Sequence, residues 1–240
     1  NALGQMFYSL SIAMGILVTF GSYMKKDVSI EESTEHVEIF DTLIAVMAGL
    51  MIIPAVFSFS GGDPDTLQAG PALMFITIPK VFENMGFGTV VGILFFLLVL
   101  FAAVTSSIAL TESAVSTFED ELGWSRRRAT VLVGVIMIAL GSLSSLGYGP
   151  LAGIKIIGMQ FLDFFDFLTN SVMMPIAAML TSLFVSRIVG MKRMEEEIMH
   201  GESTFRRKKI FIVMIKYLCP VFALIILISS VANAFGWIAM

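Results

Sequence analysis

The sequence predicts an all-α integral membrane protein of six transmembrane helices, with a discontinuous first helix and a helical extracellular loop. Three observations predict it. Hydrophobic residues make up 57% of the 240 positions and charged residues 14%, with a mean hydropathy of +0.89, a balance that soluble domains of this size rarely show. The apolar residues are gathered into six runs of about 20, the length a helix needs to cross the hydrocarbon core. The first run, opening Gly4-Gln5-Met6-Phe7-Tyr8-Ser9-Leu10-Ser11-Ile12-Ala13-Met14-Gly15, carries Ser9, Ser11, Ala13 and Gly15 in its middle. At bilayer depth, backbone freed from a helix must be buried in protein or line a cavity.

The spans follow in order. The first runs from about Leu3 to Tyr23. The second runs from Asp41 to Phe59 and contains Pro54. The third is long, from Gly88 to Glu119, and the fourth runs from Arg128 to Leu146. The fifth runs from Gln160 to Val189 with Pro175 inside it, and the sixth from Ile210 to Trp237 with Pro220 inside it. No positively charged segment precedes the first run, so it does not read as a signal peptide; the chain reads as a piece of a longer protein. Between the second and third spans, Gly61-Gly62-Asp63-Pro64 marks a turn. After it, Thr66 to Phe82 has apolar residues enough for one or two short helices, broken near Pro71 or Pro79. Such a loop either lies over an outer vestibule or packs on the outer surface.

Basic residues set the orientation. Of the 15 Lys and Arg, Lys80 and Lys155 fall on one side and Lys216 within the last span. The other twelve (Lys25, Lys26, Arg126 to Arg128, Arg187, Lys192, Arg193 and Arg206 to Lys209) fall on the opposite side. The positive-inside bias puts these twelve in the cytoplasm, and both ends of the chain outside, with an odd number of further spans expected before Asn1. The inner loop from Met191 to Lys209, with Glu195-Glu196-Glu197 and its basic run, reads as a solvated helix and a stop-transfer signal. Juxtamembrane basic residues are accounted for by anionic lipid headgroups, so no nucleic-acid partner is called for.

Several chemistries are excluded. His36 and His200 sit in polar inner loops, Cys219 is alone in an apolar run, and there is neither a CxxC pair nor a phosphate-cradling glycine loop. No nucleophile–base or metal constellation points to an enzyme, and no cofactor is expected. The polar residues inside the spans are more telling. Thr105, Ser106 and Ser107 place hydroxyls near the middle of the third span. They are hard ligands suited to Na+ when joined by carbonyls, or else helix–helix hydrogen-bonding groups. Asp163 and Asp166 open the fifth span at i, i+3 and share a face. Asp163 is near enough to the boundary to be hydrated, whereas Asp166 lies deeper and calls for a cation from another part of the protein. Glu112 reads as a satisfied, buried structural acid. A helix broken at midplane offers carbonyls and amides to an ion and a substrate, as secondary transporters do.

Taken together, Gly4 to Ser11 with Met14-Gly15 and Gly21-Ser22-Tyr23 resemble the broken sixth helix of the bacterial members of the neurotransmitter:sodium symporter family. Thr105-Ser106-Ser107-Ile108-Ala109 with Glu119-Asp120-Glu121 resembles their eighth helix, and Leu162-Asp163-Phe164-Phe165-Asp166-Phe167 the start of their tenth. The resemblance covers essentially the whole chain. It implies a LeuT-like fold in which residues 1–189 form the second inverted repeat, about 208–238 a following helix, and the N-terminal repeat lies outside this chain. The fragment is then not expected to transport alone. The resemblance implies sodium-coupled symport of a neutral, hydrophobic or aromatic amino acid by alternating access across the inner, cytoplasmic membrane. A receptor or regulatory membrane protein that retains the fold is the alternative.

The same resemblance implies roles. Tyr8 matches an aromatic lid over the substrate, Ser9 and Ser11 the unwound stretch facing it, and Met14 and Leu110 apolar pocket positions. Ser9, and within one residue Asp41, match first-sodium positions. Ala102 by its carbonyl, with Thr105 and Ser106 by their hydroxyls, match the second. Asp166 matches the outer-gate acid that pairs with an arginine of the first repeat, and Tyr8 also closes that gate. A carboxylate at Asp41 stands in for the chloride of animal relatives, so transport is expected to be chloride-independent. Ala13 departs from the glycine usual there and stiffens the stretch. The partners implied are the amino acid, Na+, lipid, the N-terminal half of the same protein and a second copy in a homodimer.

Overall fold

A computed structural model describes residues 2–59, 72–201 and 204–237. Among them the regular structure is helical, apart from an isolated antiparallel bridge between Ile156 and Met159. The helices are α1 (Ala2–Ser9), α2 (Ile16–Ser22), α3 (Ile30–Phe59), α4 (Ile78–Glu83), α5 (Gly88–Leu122), α6 (Arg126–Leu146), α7 (Phe161–Asp166), α8 (Met174–Phe184), α9 (Met191–Ile198), α10 (Lys208–Val213) and α11 (Cys219–Ala234). Five continuous helical stretches among the described residues are long and apolar enough to cross a membrane: Ile30–Ser58, Gly88–Leu122, Arg126–Leu146, Phe161–Val189 and Lys208–Ala234. The expected first span is α1 and α2, with no helix between them.

The second span starts earlier than its hydropathy suggests. α3 begins at Ile30, so Asp41 and His36 both lie within a helix of 30 residues, and His36 is not in a loop. The polar run Ile30 to Phe40 is helical for local reasons. Glu31 and Glu32 sit in its first turn, where the helix dipole favours acids, and the Ser29 hydroxyl accepts from the Glu32 N–H at 3.0 Å, a capping bond. α5, at 35 residues, is about 52 Å long at 1.5 Å per residue. It outruns a core of about 30 Å, so its acidic end, Glu119 to Glu121, lies beyond the hydrocarbon.

Pro79, an expected break, does not end its helix, and Pro175 and Pro220 lie inside continuous spans as expected. Pro79, Pro175 and Pro220 each lie in the first turn of an α-helical segment that follows a π-helical one: Leu73–Thr77, Phe167–Met173 and Met214–Leu218 respectively. A proline has no N–H to give and crowds the carbonyl four residues back. The wider π turn relieves both demands and lets the helix continue. The outer-loop helix therefore runs on through Pro79, while Gly61 to Pro64 and the stretch up to Pro71 lie outside the described residues.

The chain divides into two compact units, residues 1–35 with 109–240, and residues 36–108. In the first, Val115, Ala129 and Val133 are buried together with Ala114 and Phe118 packed against them, which fastens the end of α5 to α6. α11 packs on α8, and the buried Ser182 donates its hydroxyl to the Ile215 carbonyl. The basic run of the inner loop is tied down rather than merely solvated. Glu31 accepts the backbone N–H groups of Arg206 and Arg207 at 3.1 and 3.0 Å, Glu35 pairs with the Arg207 guanidinium at 3.1 Å, and Lys208 pairs with Glu195.

In the second unit the outer-loop helix α4 lies on the start of α5. Phe82 meets Phe95 edge-on at 5.4 Å and Phe75 stacks on Phe96 at 6.0 Å. A Cβ on Gly88 would fall 1.6 Å from the Phe82 carbonyl oxygen, and one on Gly92 would stand 3.3 Å from its ring. Ile78 and Val81 on α4 and Val56 on α3 are the buried aliphatics of this unit.

Candidate functional site

The interruption of the first span is built from left-handed backbone. Ser11 has φ 53°, Ala13 φ 64° and Gly15 φ 79°. Each such residue turns the chain out of the right-handed helix, so the i to i−4 ladder fails. Leu10 still donates to the Met6 carbonyl at 3.0 Å and Ser11 to that of Tyr8 at 3.1 Å, and the ladder resumes with Thr19 donating to Gly15 at 2.9 Å. Between these points the backbone polar groups are released from the helix. Two of the three turning residues are not glycine. A left-handed L-residue costs about 1–2 kcal/mol, and such strain gathers at functional sites. Ala13→Gly is therefore expected to stabilise the protein. The gain is under about 1 kcal/mol, because glycine also frees the unfolded chain. A lowered melting temperature of the full-length variant in detergent would contradict this.

The second half of α5 holds the interruption and α2 in place. Ser113, buried, donates to the released Met14 carbonyl at 3.4 Å. Thr19 and Ser116 share a hydrogen bond at 3.3 Å, and the Tyr23 hydroxyl donates to Glu112 at 2.7 Å. Gly15, Thr19 and Tyr23 lie at i, i+4, i+8, and Glu112, Ser113 and Ser116 share one face of α5, so two helical stripes meet polar to polar. Gly15 lets them approach, since a Cβ there would stand 2.6 Å from the Ser113 hydroxyl. Arg126, opening α6, closes the row with ion pairs to Glu112 and, at 3.3 Å, to Glu119. Glu112 thus has partners, as expected, but stays partly exposed rather than buried.

The residues singled out from sequence fall as follows. Tyr8 and Ser9 end α1 with their side chains exposed, and Ser11 and Met14 lie half-buried in the interruption. Leu110 is exposed on α5, and Asp166 ends α7, where its carboxylate accepts from the Asn170 amide. These belong to the first unit. Asp41, Ala102, Thr105 and Ser106 belong to the second. There, Thr105 donates its hydroxyl to the Ala102 carbonyl at 2.9 Å, so two of the three expected second-sodium oxygens are adjacent. Two oxygens at that spacing fit on one coordination shell of about 2.4 Å radius around a hard cation. Sequence reasoning passed over Thr19, Ser113 and Ser116. The available signal was a run of hydroxyls on the same α5 face as Glu112.

A helix that halts and resumes within a membrane-length segment, among five apolar spans, defines a multi-pass membrane protein of the discontinuous-helix class. The profile of the Sodium:neurotransmitter symporter family matches residues 1–236, and the chain belongs to that family. It is 34% identical over 202 residues to a sodium-dependent transporter of Bacillus subtilis, YhdH, covering 84% of this chain and 44% of that protein. It is 32% identical over 229 residues to a sodium-dependent transporter of Haemophilus influenzae, covering 95% and 49%. Among solved structures it resembles MhsT in complex with L-phenylalanine, with a TM-score of 0.85 and 35% identity, covering 95% of this chain and 51% of that one. The LeuT-like fold expected from sequence is thereby established. The chain spans about half the length of these relatives.

Proposed function

We propose that the protein of which this chain is part imports a neutral, hydrophobic or aromatic amino acid across the cytoplasmic membrane, driven by Na+ moving inward. The observation that carries the reading is the left-handed stretch at Ser11, Ala13 and Gly15, because it frees backbone dipoles where a zwitterion and an ion need them. The chain supplies the second inverted repeat and one further helix. Ser9 and Asp41 serve the first sodium, and Ala102, Thr105 and Ser106 the second. Tyr8, Ser9, Ser11, Met14 and Leu110 face the substrate, whose carboxylate meets an ion and helix-end dipoles and whose ammonium meets carbonyls and hydroxyls. Tyr8, Met14 and Leu110 favour an apolar side chain, and the MhsT structure with L-phenylalanine supports that choice.

Na+ favours the outward-open state. Substrate, with Tyr8 and Asp166 closing over it, then occludes the site. Coupling follows because ions and substrate bind one state in preference to the other.

Uptake of radiolabelled phenylalanine into vesicles holding the full-length protein tests this. Uptake is expected to require a Na+ gradient and to persist when gluconate replaces chloride, since the Asp41 carboxylate supplies the fixed negative charge. Sodium-dependent binding without uptake would favour a receptor. Uptake indifferent to Na+ would end the proposal, and collapse without chloride would remove Asp41 from the role given to it.

A further inference from the structure

Between α6 and α7 the chain forms a small outer hairpin. Ile156 and Met159 exchange two backbone hydrogen bonds of 2.9 Å. The two residues between them, Ile157 and Gly158, have φ 53° and 78°, the positive pair of a type I′ turn. Asparagine or glycine suits the first of those positions. A β-branched residue there is an outlier, and among the described residues the other non-glycines with positive φ are Ser11 and Ala13, both in the interrupted helix. The strain at Ile157 is not offset within this chain, because the side chain is 58% exposed, and Ile154 and Tyr148 are each 54% exposed.

The surroundings say what covers this tip. The hairpin joins two spans directly, on the side away from the basic loops, and follows α6, on which Ile138, Leu140 and Leu146 are exposed. Tyr148 and Lys155 flank it. An aromatic ring with a polar end and a lysine with an apolar stem are the residues that settle at the headgroup level of a bilayer. We propose that the tip Ile154–Ile157 is an anchor in the outer leaflet, with Ile154 and Ile157 below the headgroups and Tyr148 and Lys155 among them. The apolar medium stabilises a turn residue that water would not.

The test uses the full-length protein with its other cysteines replaced, carrying Ile157→Cys labelled with an environment-sensitive fluorophore. The exposed position leaves folding intact. The labelled protein is placed in phosphatidylcholine vesicles with and without lipid bearing a nitroxide near the headgroup. The expected result is blue-shifted emission, loss of intensity with nitroxide lipid and protection from aqueous iodide. Ready iodide quenching without nitroxide quenching would place the tip in water. Insensitivity to both would place it under another part of the protein or a second copy. Either outcome overturns the anchor.

Discussion

Thr105→Ala combined with Ser106→Ala in the full-length protein is expected to raise the Na+ concentration for half-maximal uptake by at least about tenfold. A hydrogen-bonding or coordinating oxygen on a charged partner contributes about 1.5–3 kcal/mol, and the pair removes two. The 2.9 Å contact between Thr105 and the Ala102 carbonyl makes the single variants unequal. Thr105→Ala loses an oxygen and with it the hydroxyl partner of the Ala102 carbonyl. Ser106→Ala loses only an oxygen and is expected to have the smaller effect. Thr105→Ser keeps the hydroxyl and is expected to restore most of the sodium affinity. The measurement is uptake against Na+ at fixed substrate. An unchanged sodium curve in the double variant would take these residues out of the ion site and leave them as helix-packing hydroxyls.

Gly15→Ala carries the largest expected loss of stability. Its backbone at φ 79° charges any L-residue about 1–2 kcal/mol. The added Cβ stands 2.6 Å from the Ser113 hydroxyl, and crowding of a packed position costs a further 1–3 kcal/mol or so. Together these come to about 2–5 kcal/mol, read as a fall in melting temperature in detergent. Ser113→Ala removes the crowding atom, so the double variant Gly15→Ala with Ser113→Ala is expected to lose less than the two single losses added, with only the backbone cost remaining in full. Strict additivity would show that α2 and α5 do not meet at this point.

The spans were legible because lipid makes helix formation a local question. A backbone that crosses hydrocarbon must bond to itself within the segment, so composition over 20 residues marks it. The errors lie where that rule lapses. Ile30 to Phe40 is polar and is helical through its own capping and charge, so hydropathy began the span at Asp41. Pro79 reads as a break because a π turn ahead of a proline has no mark in composition. In the site, Ser9, Ser11 and Met14 were legible as members of an interrupted segment, since serine and glycine at bilayer depth are costly without a purpose. Ser113 was not, because one serine in a long apolar helix is ordinary until a released carbonyl is found opposite it.

By itself the sequence determined which segments are long and apolar enough to cross a membrane and where the first of them gives up the helix. Those properties depend on neighbours within a turn or two. The tertiary structure alone decided which residues adopt left-handed backbone and what receives the polar groups they release. Ser11 and Ala13 have no local reason to turn that way, and the contacts that hold α2, from Tyr23 to Glu112, Thr19 to Ser116 and Ser113 to Met14, join residues 89 to 99 positions apart. Strain of that kind persists only where distant packing outweighs it, and no window along the chain contains both sides of that balance.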